Sequence, residues 1–408
     1  MKTISDFSLP QSNSLPALPA LLPSEGAQSR TTERPRKSGP SRQREFSASG
    51  FAIVSSEALS FFPELTQHLG ADPHALLRLA GIEPSILASR GSVLEYRSLI
   101  ELLEITARTL QCPDFGLRFA ALQGGTRVMG PIGVVMKNSQ TVGQALGYCK
   151  KQIHAYSLAT RVRFMPDRPH HKLFVGLEIL LDGVAQKAQI VEHALMLANL
   201  NVIDISSETA RARQISFRHA PVSAPSVYRE AFQCDVRFGE DVDGLVLEER
   251  DLLCPVVRPD EQVYRIATSF IDEHFPPAKP PLHARVRSLI GQYLASDSAY
   301  ERIAADLCMH PRTLQRHLRN EGRTFEGIKD EVRQEAALRF LQRPDIPLTQ
   351  VAAKLGYADQ TVLSRSCCRW FDATPGELRR RATNALHGFS ASHAASASNT
   401  GSATPDEC

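Results

Sequence analysis

An α+β chain in two parts, mixed helix and sheet first and helix alone after, follows from three observations on the sequence. The first is an internal repeat. Between Tyr300 and Arg381 one pattern occurs twice, as Ile303-Ala304, Leu307, Leu314 and Arg316 and then as Val351-Ala352, Leu355, Leu363 and Arg365. The offset is 48 residues for the first helix of each copy and 49 for the second, so one turn is longer by a residue. Each copy reads as helix, tight turn, helix. The second observation is a change of hydrophobic period, from helical to two, after Tyr156. The third is Pro276-Pro277-Ala278-Lys279-Pro280-Pro281, an extended spacer that marks the clearest boundary in the chain.

Residues 1–50 are rich in Ser, Pro, Arg and Gln and poor in aromatic residues. They bury too little apolar surface to offset their ordering entropy, so a disordered tail is expected, with Arg34-Pro35-Arg36-Lys37 as a solvated cluster able to touch phosphates. A mixed helical and small-sheet body is expected over 51–275. Asp72-Pro73 opens a helix carrying Leu76, Leu77 and Leu79, and Leu94 to Leu110 reads as a longer amphipathic helix. Thr141-Val142 starts another. Val162 and Phe164 alternate with Arg161 and Arg163, and Leu173 to Leu180 is a second strand, with the turn placed at Pro166-Asp167-Arg168-Pro169. Val184 to Ile205 reads as a helix, followed by a strand at Gln214 to Arg218, a short helix at Ala224 to Phe232, and strands around Val236 and Leu245 to Leu247. The sheet is expected to be antiparallel. Pro259 to Phe275 reads as a last helix with Val263, Ile266, Ala267 and Phe270 inward. After the 276–281 linker, residues 282–381 form the all-α part, and 382–408 a second disordered tail.

In the first copy Ser298 and Glu301 form a capping box, Ala304 sits where two helices cross, and Pro311 suits a first helical turn. Leu314 and Leu318 face inward at i, i+4. Arg312, Gln315, Arg316 and Arg319 fall on the opposite face. Such a stripe suits the edges of bases in a major groove, where arginine pairs with guanine and glutamine with adenine. The second copy has Asp345 and Pro347 before its first helix, Gly356 after it, and Asp359 to cap the next. There Leu363, Cys367 and Trp370 share a face and Gln360, Thr361, Ser364 and Arg365 are left outward. Phe325 to Gln342 reads as one helix of roughly 27 Å. A strut of that length sets two recognition helices close to one duplex turn apart, about 34 Å. A plain solvated bundle explains one Arg-bearing hairpin, but not two in tandem on such a strut.

At these positions the chain resembles the AraC/XylS transcriptional regulators. The residues that carry the likeness are Ile303-Ala304, Met309, Arg312-Thr313-Leu314-Gln315-Arg316, Glu321-Gly322 and Phe325, then Arg333, Ala337, Leu341, Val351-Ala352, Leu355-Gly356-Tyr357, Arg365, Trp370-Phe371, Pro375 and Arg379. Leu363 and Cys367 depart from the family's usual phenylalanines, and Cys368 from a frequent lysine. A second unit that discriminates less sharply than the first is therefore expected. The spacing of Phe115-Gly116-x-Arg118, Gly130-x-x-Gly133 and Thr141-Val142 resembles the N-terminal domain of the branch that includes the ornithine-utilisation regulators. The resemblance implies a sequence-specific DNA-binding regulator, more often an activator, with an effector-binding or dimerisation domain. The partners it implies are double-stranded DNA, RNA polymerase, a small-molecule effector and a second copy of the chain. The candidate DNA contacts are Arg312, Thr313, Gln315, Arg316, Arg319, Gln360, Thr361, Val362, Ser364, Arg365 and Arg369.

Composition narrows the alternatives. The chain has 408 residues, 42% hydrophobic and 22% charged, with a net charge of +3. From Pro281 to Arg381 there are 17 Lys+Arg against 12 Asp+Glu, and 15 of the cations are arginine. So modest an excess implies that affinity rests on placed contacts rather than on bulk charge. No run of 18 apolar residues predicts a membrane span, and Met1 to Asp6 lacks a secretory core, so a cytoplasmic protein is expected. The eight cysteines form no CxxC pair and no zinc spacing, so neither metal nor cofactor is expected. The rival reading is an enzyme in the α+β part with the C-terminal part as a DNA-targeting module. It would need a reactive thiol at Cys112 or Cys149. His170-His171, Glu192-His193 and His219 form no dyad in sequence, and GxxxxGK[ST], GxSxG and HExxH are absent. No catalytic residue is assigned, and the effector's ligand-binding residues are left open.

Overall fold

The computed structural model describes residues 51–381 apart from Arg90, Ala185, Asp297, Ser298 and Pro344. Both expected tails, the Arg34–Lys37 cluster and the capping role of Ser298 lie outside the described residues. The N-terminal part opens with β1 (Ile53–Ser55), α1 (Phe62–His68), α2 (Pro73–Leu79), β2 (Val93–Glu95), α3 (Tyr96–Thr109), α4 (Phe115–Gln123), α5 (Pro131–Lys137) and α6 (Val142–Gln152). It continues through β3 (Thr160–Asp167), β4 (Lys172–Ile179), α7 (Ala188–Ser206), β5 (Gln214–Phe217), α8 (Pro225–Phe232), β6 (Asp235–Phe238), β7 (Gly244–Glu248), α9 (Glu249–Leu253) and α10 (Glu261–His274). The C-terminal part holds α11 (Leu282–Tyr293), α12 (Ala299–Asp306), α13 (Pro311–Asn320), α14 (Phe325–Leu341), α15 (Leu348–Lys354) and α16 (Gln360–Phe371). A further helical stretch at residues 375–381 follows, started by a capping box between Thr374 and Glu377.

Two hydrophobic cores form, one from Val54 to Ile271 and one from Leu282 to Cys367. The first is organised on α7, a helix apolar nearly all round and therefore buried on most sides. α4 lies along it, and Gly116 makes the approach possible: a Cβ there would sit 2.3 Å from the carbonyl oxygen of Gln189. That contact is the physical content of the Phe115-Gly116 signal. Around it Phe62, Phe115 and Phe119 meet edge-on and stacked at about 6 Å.

Five expectations are corrected. The five-stranded sheet, ordered β3-β4-β7-β5-β6, is mixed, because β5 and β6 pair in parallel through the crossover helix α8. Val93–Glu95 is a strand paired with β1 rather than the start of the long helix, which begins at Tyr96. Strand β3 runs through Pro166 to Asp167, so the turn falls at Arg168–His171; an edge strand tolerates the proline's missing donor. Asp345 does not cap α15 but pairs with Arg343 at 3.0 Å. In α10 the sequence carries two adjacent apolar stripes, and the one packed on α5 is Ala267 and Ile271. Val263, Ile266 and Phe270 face solvent instead, at 37%, 63% and 42% exposure.

Candidate nucleic-acid interface

In the first unit Ile303 and Ala304 of α12 are buried, and the small side chain of Ala304 lets the chain turn back close to it. The Met309 N–H donates to the Ala304 carbonyl at 2.8 Å, and Cys308 takes a left-handed φ of 54°. His310 caps α13, its Nδ1 accepting from the Arg312 N–H at 3.3 Å, and Pro311 fills the first turn. Leu314 and Leu318 are 0% and 1% exposed. That burial fixes the opposite face: Arg312, Gln315, Arg316 and Arg319 are exposed and Thr313 is half-buried. Among the described residues no hydrogen bond or ion pair engages the side chains of Arg312, Gln315, Arg316 or Arg319. They border an open groove of about 1130 Å³ between α13 and the start of α14.

The second unit repeats this with different parts. Val351, Ala352 and Leu355 are buried, and Gly356 ends α15 at φ 68°. Asp359 caps α16, its carboxylate accepting from the Thr361 and Val362 N–H groups at 2.7 and 3.1 Å. Those amides, Val362 first, hold the Asp359 carboxyl below the usual aspartate range. Leu363 and Cys367 are fully buried, leaving Gln360, Thr361 and Arg365 exposed and Val362 and Ser364 half-buried. The Ser364 hydroxyl donates to the Gln360 carbonyl at 3.0 Å. Arg369 is exposed but committed, 2.6 Å from Asp330 of α14, whose other carboxylate oxygen accepts from Trp370 Nε1 at 2.9 Å.

Three residues whose roles only the fold reveals hold the units in place. Arg333 of α14 donates to the Leu355 and Gly356 carbonyls at 2.8 Å each, closing the C-terminus of α15, and lies over the Tyr357 ring. Glu321 accepts from the Leu282 and His283 N–H groups, capping α11 from the far side of the first unit. Asp330 is the third. Their partners lie 22 to 40 residues away, so only the fold brings them together. Arg333 and Glu321 both stand at positions of the family resemblance, yet what each side chain does follows only from the fold.

The histidines of the N-terminal part do not cluster, although the fold brings His219 Nε2 to 3.8 Å from buried Glu192, with its Nδ1 on the Ala220 carbonyl. His170 pairs with Asp167 and His171 with Glu249 on the surface. His193 is buried against Gln123 and burial pulls its pKa down to about 3. Glu192 is also buried and burial pushes it up to about 8, with the Tyr228 hydroxyl donating to it at 2.7 Å.

A separate α+β part followed by two helix-turn-helix units on one strut is the architecture of a DNA-binding transcription regulator. Residues 70–256 match the arabinose-binding domain of AraC transcription regulator, N-terminal, and residues 303–381 match a helix-turn-helix domain. The chain belongs to the AraC family. It is 33% identical over 329 residues to the HTH-type transcriptional regulator VirS of Mycobacterium tuberculosis, covering 80% of this chain and 96% of that one. It is 22% identical over 347 residues to the ornithine utilization regulator of Pseudomonas aeruginosa, 82% and 97% of the two chains. The crystal structure of the regulator CdpR from Pseudomonas aeruginosa aligns with 75% of this chain and 96% of its own, at 18% identity and a TM-score of 0.38. No helix among the described residues is long and apolar enough to cross a membrane.

Proposed function

We propose that this regulator is an activator that reads two adjacent major grooves, with α13 and α16 as the two reading helices. The observation that supports this is the pair of solvent-facing polar stripes on α13 and α16, the helices that flank the 17-residue α14 and the α15 turn in the chain. At about 1.5 Å per residue α14 spans roughly 26 Å. Arg312, Thr313, Gln315, Arg316 and Arg319 make the first reading face, and Gln360, Thr361, Val362, Ser364 and Arg365 the second. Arg369, held by Asp330, serves as a phosphate-side anchor. Residues 282–381 act as the DNA-binding domain, 276–281 as linker and 51–275 as the regulatory domain. That domain answers a small-molecule effector or a second copy of the chain. The stripe of Val263, Ile266 and Phe270 at i, i+3, i+7 on α10 offers a face for the second copy. RNA polymerase is the expected partner at the promoter, in the cytoplasm. Catalysis is not part of this reading, because burial pushes the Cys112 and Cys149 thiols up to about 12 and keeps them protonated at neutral pH.

Hydroxyl-radical footprinting on genomic fragments from around the gene tests it. Two protected patches about 10 base pairs apart on one face of the duplex are expected. One patch alone, unchanged by Arg365→Ala, would show that the second unit only props up the first.

A further inference from the structure

The two halves of the chain meet across a closely packed polar seam between β4 with its following turn and helices α11 and α14. Most of its charges are paired. Arg163 lies 3.1 Å from Glu178, and Arg287 lies 3.2 Å from Asp182 and 3.1 Å from Glu331 while also binding Glu335. Arg323 takes the other Asp182 oxygen at 3.1 Å. Beside this network is a cavity of about 60 Å³ whose walls come from both halves. Lys187, Arg218 and Asp243 belong to the N-terminal side, and Glu335 and Arg339 to α14.

Charge is unbalanced there. The cavity lining carries four cations, Lys187, Arg218, Arg287 and Arg339, against three carboxylates, of which Glu178 is shared with Arg163, Glu335 with Arg287, and Asp243 already accepts the Arg218 backbone N–H at 2.7 Å. The Nε groups of Arg218 and Arg339 have no hydrogen-bond partner. Burial, then the neighbouring Arg218 charge, pulls Arg339 down to about 9, and burial lowers Lys187 as well; Asp243, Glu335 and Asp241 offset the Arg339 effect only in part. Lys187, Arg218 and Arg339 are each half-buried, and a cation drawn partly out of water is ordinarily paired, because otherwise part of its desolvation penalty stands unoffset. A water needs about 10–15 Å³ on this measure, so the space takes several waters or one small anion.

We propose that this cavity binds a small oxyanion, a phosphate or a short carboxylate, held by Lys187, Arg218 and Arg339. Guanidinium groups match such oxygens with paired donors, and the lysine adds a point charge. Because its walls come from both halves, an occupied cavity fastens α14 to the sheet. Since α14 carries both reading helices, the anion fixes their orientation relative to the N-terminal part. This consequence rests on the DNA-reading function proposed above, whereas the binding itself does not.

Calorimetric titration of the full-length protein with inorganic phosphate, and separately with acetate, tests the site. One anion per chain is expected in at least one arm, and the arm that saturates tells phosphate from carboxylate. Lys187→Met and Arg339→Met should each weaken binding by about tenfold or more, and Asp243→Asn should strengthen it. The opposite sign of the Asp243 change separates loss of the site from loss of folding. In addition, Arg339→Met should melt no lower than the wild type without anion, since it removes a poorly paired, half-buried charge. No binding in either arm overturns the proposal, and so does binding that all three substitutions leave unchanged. Footprints of the same variants report separately on DNA reading, so the two readings fail independently.

Discussion

The two helix-turn-helix units share a plan but solve its hardest point differently. At the end of the first helix the chain must enter the left-handed region, and the repeat puts Cys308 there in one unit and Gly356 in the other. Cys308 holds φ 54° at the energetic cost of its Cβ. Gly356 carries no such cost and meets a second demand, because a Cβ at that position would lie 2.3 Å from the Leu294 carbonyl oxygen. The first unit's turn is open to solvent; the second is pressed against the end of α11. The reading helices differ in a matching way. Among the described residues α13 leaves its arginines without a hydrogen bond or ion pair, while α16 commits Arg369 to Asp330 and keeps Arg365 exposed, its charge acting only at longer range on Asp359. On the proposed function, the first unit is built chiefly to read and the second to be held while reading.

The largest effect should come from exchanging the two turn residues' freedoms. Gly356→Ala is expected to destabilise the C-terminal part by about 2–3 kcal/mol, since strain and a backbone clash add. Cys308→Gly should be neutral or stabilising by up to about 1 kcal/mol. Denaturant midpoints measure both, and equal effects would erase the contrast between the turns. Next in size, Arg316→Ala should lose about 1–3 kcal/mol on the specific site and little on random DNA. Arg365→Ala should lose less. Competition binding against random duplex distinguishes them, and a larger loss at Arg365 would reverse the assignment of the better reader.

How far the chain was readable from its residues depends on how far apart the interacting groups lie. Leu314 with Leu318, the Asp359 cap and the Gly356 turn are local, and each appears in the sequence as a spacing of a few residues. Across longer separations the pattern is ambiguous. α10 carries two apolar stripes, and nothing local says that Ala267 and Ile271 rather than Ile266 and Phe270 meet α5. The parallel β5–β6 pair has the same period as an antiparallel one, so only the crossover through α8 identifies it. In the interface, the outward positions were legible because their helices are amphipathic. The engagement of Arg369 was not, because Asp330 sits 39 residues away on a helix whose exposed face is charged throughout.

That engagement gives the third comparison. Asp330→Ala removes the acceptor of both Arg369 and Trp370 Nε1 and should loosen the second unit by about 1 kcal/mol, a value held low because the pair is exposed. Trp370 is the chain's single tryptophan, so its emission during denaturation reports on this unit directly. An Asp330→Ala transition superimposable on the wild type would mean that Cys367 and Leu363 anchor α16 alone.

The smallest effect is a difference in acid response between the caps. His310 supplies a ring nitrogen to α13, whereas Asp359 supplies a carboxylate to α16. Two backbone N–H groups favour the charged form of Asp359, so its pKa in the folded chain lies below the ordinary 3.8. Unfolding therefore takes up a proton in that range. The stability from this cap is fully present above about pH 3.8 and is lost as the pH falls through the folded value. Asp359→Asn keeps a carbonyl oxygen in the same place and does not titrate. It should be slightly less stable at neutral pH, where a charged acceptor at a helix N-terminus outperforms a neutral one. As the medium becomes acid the two proteins should converge, because only the wild type loses its acceptor. Other carboxylates titrate alike in both chains, so the difference between their Trp370 unfolding curves isolates this residue. A gap that stays constant from neutral pH into the acid range would show that the Asp359 charge adds nothing to the cap.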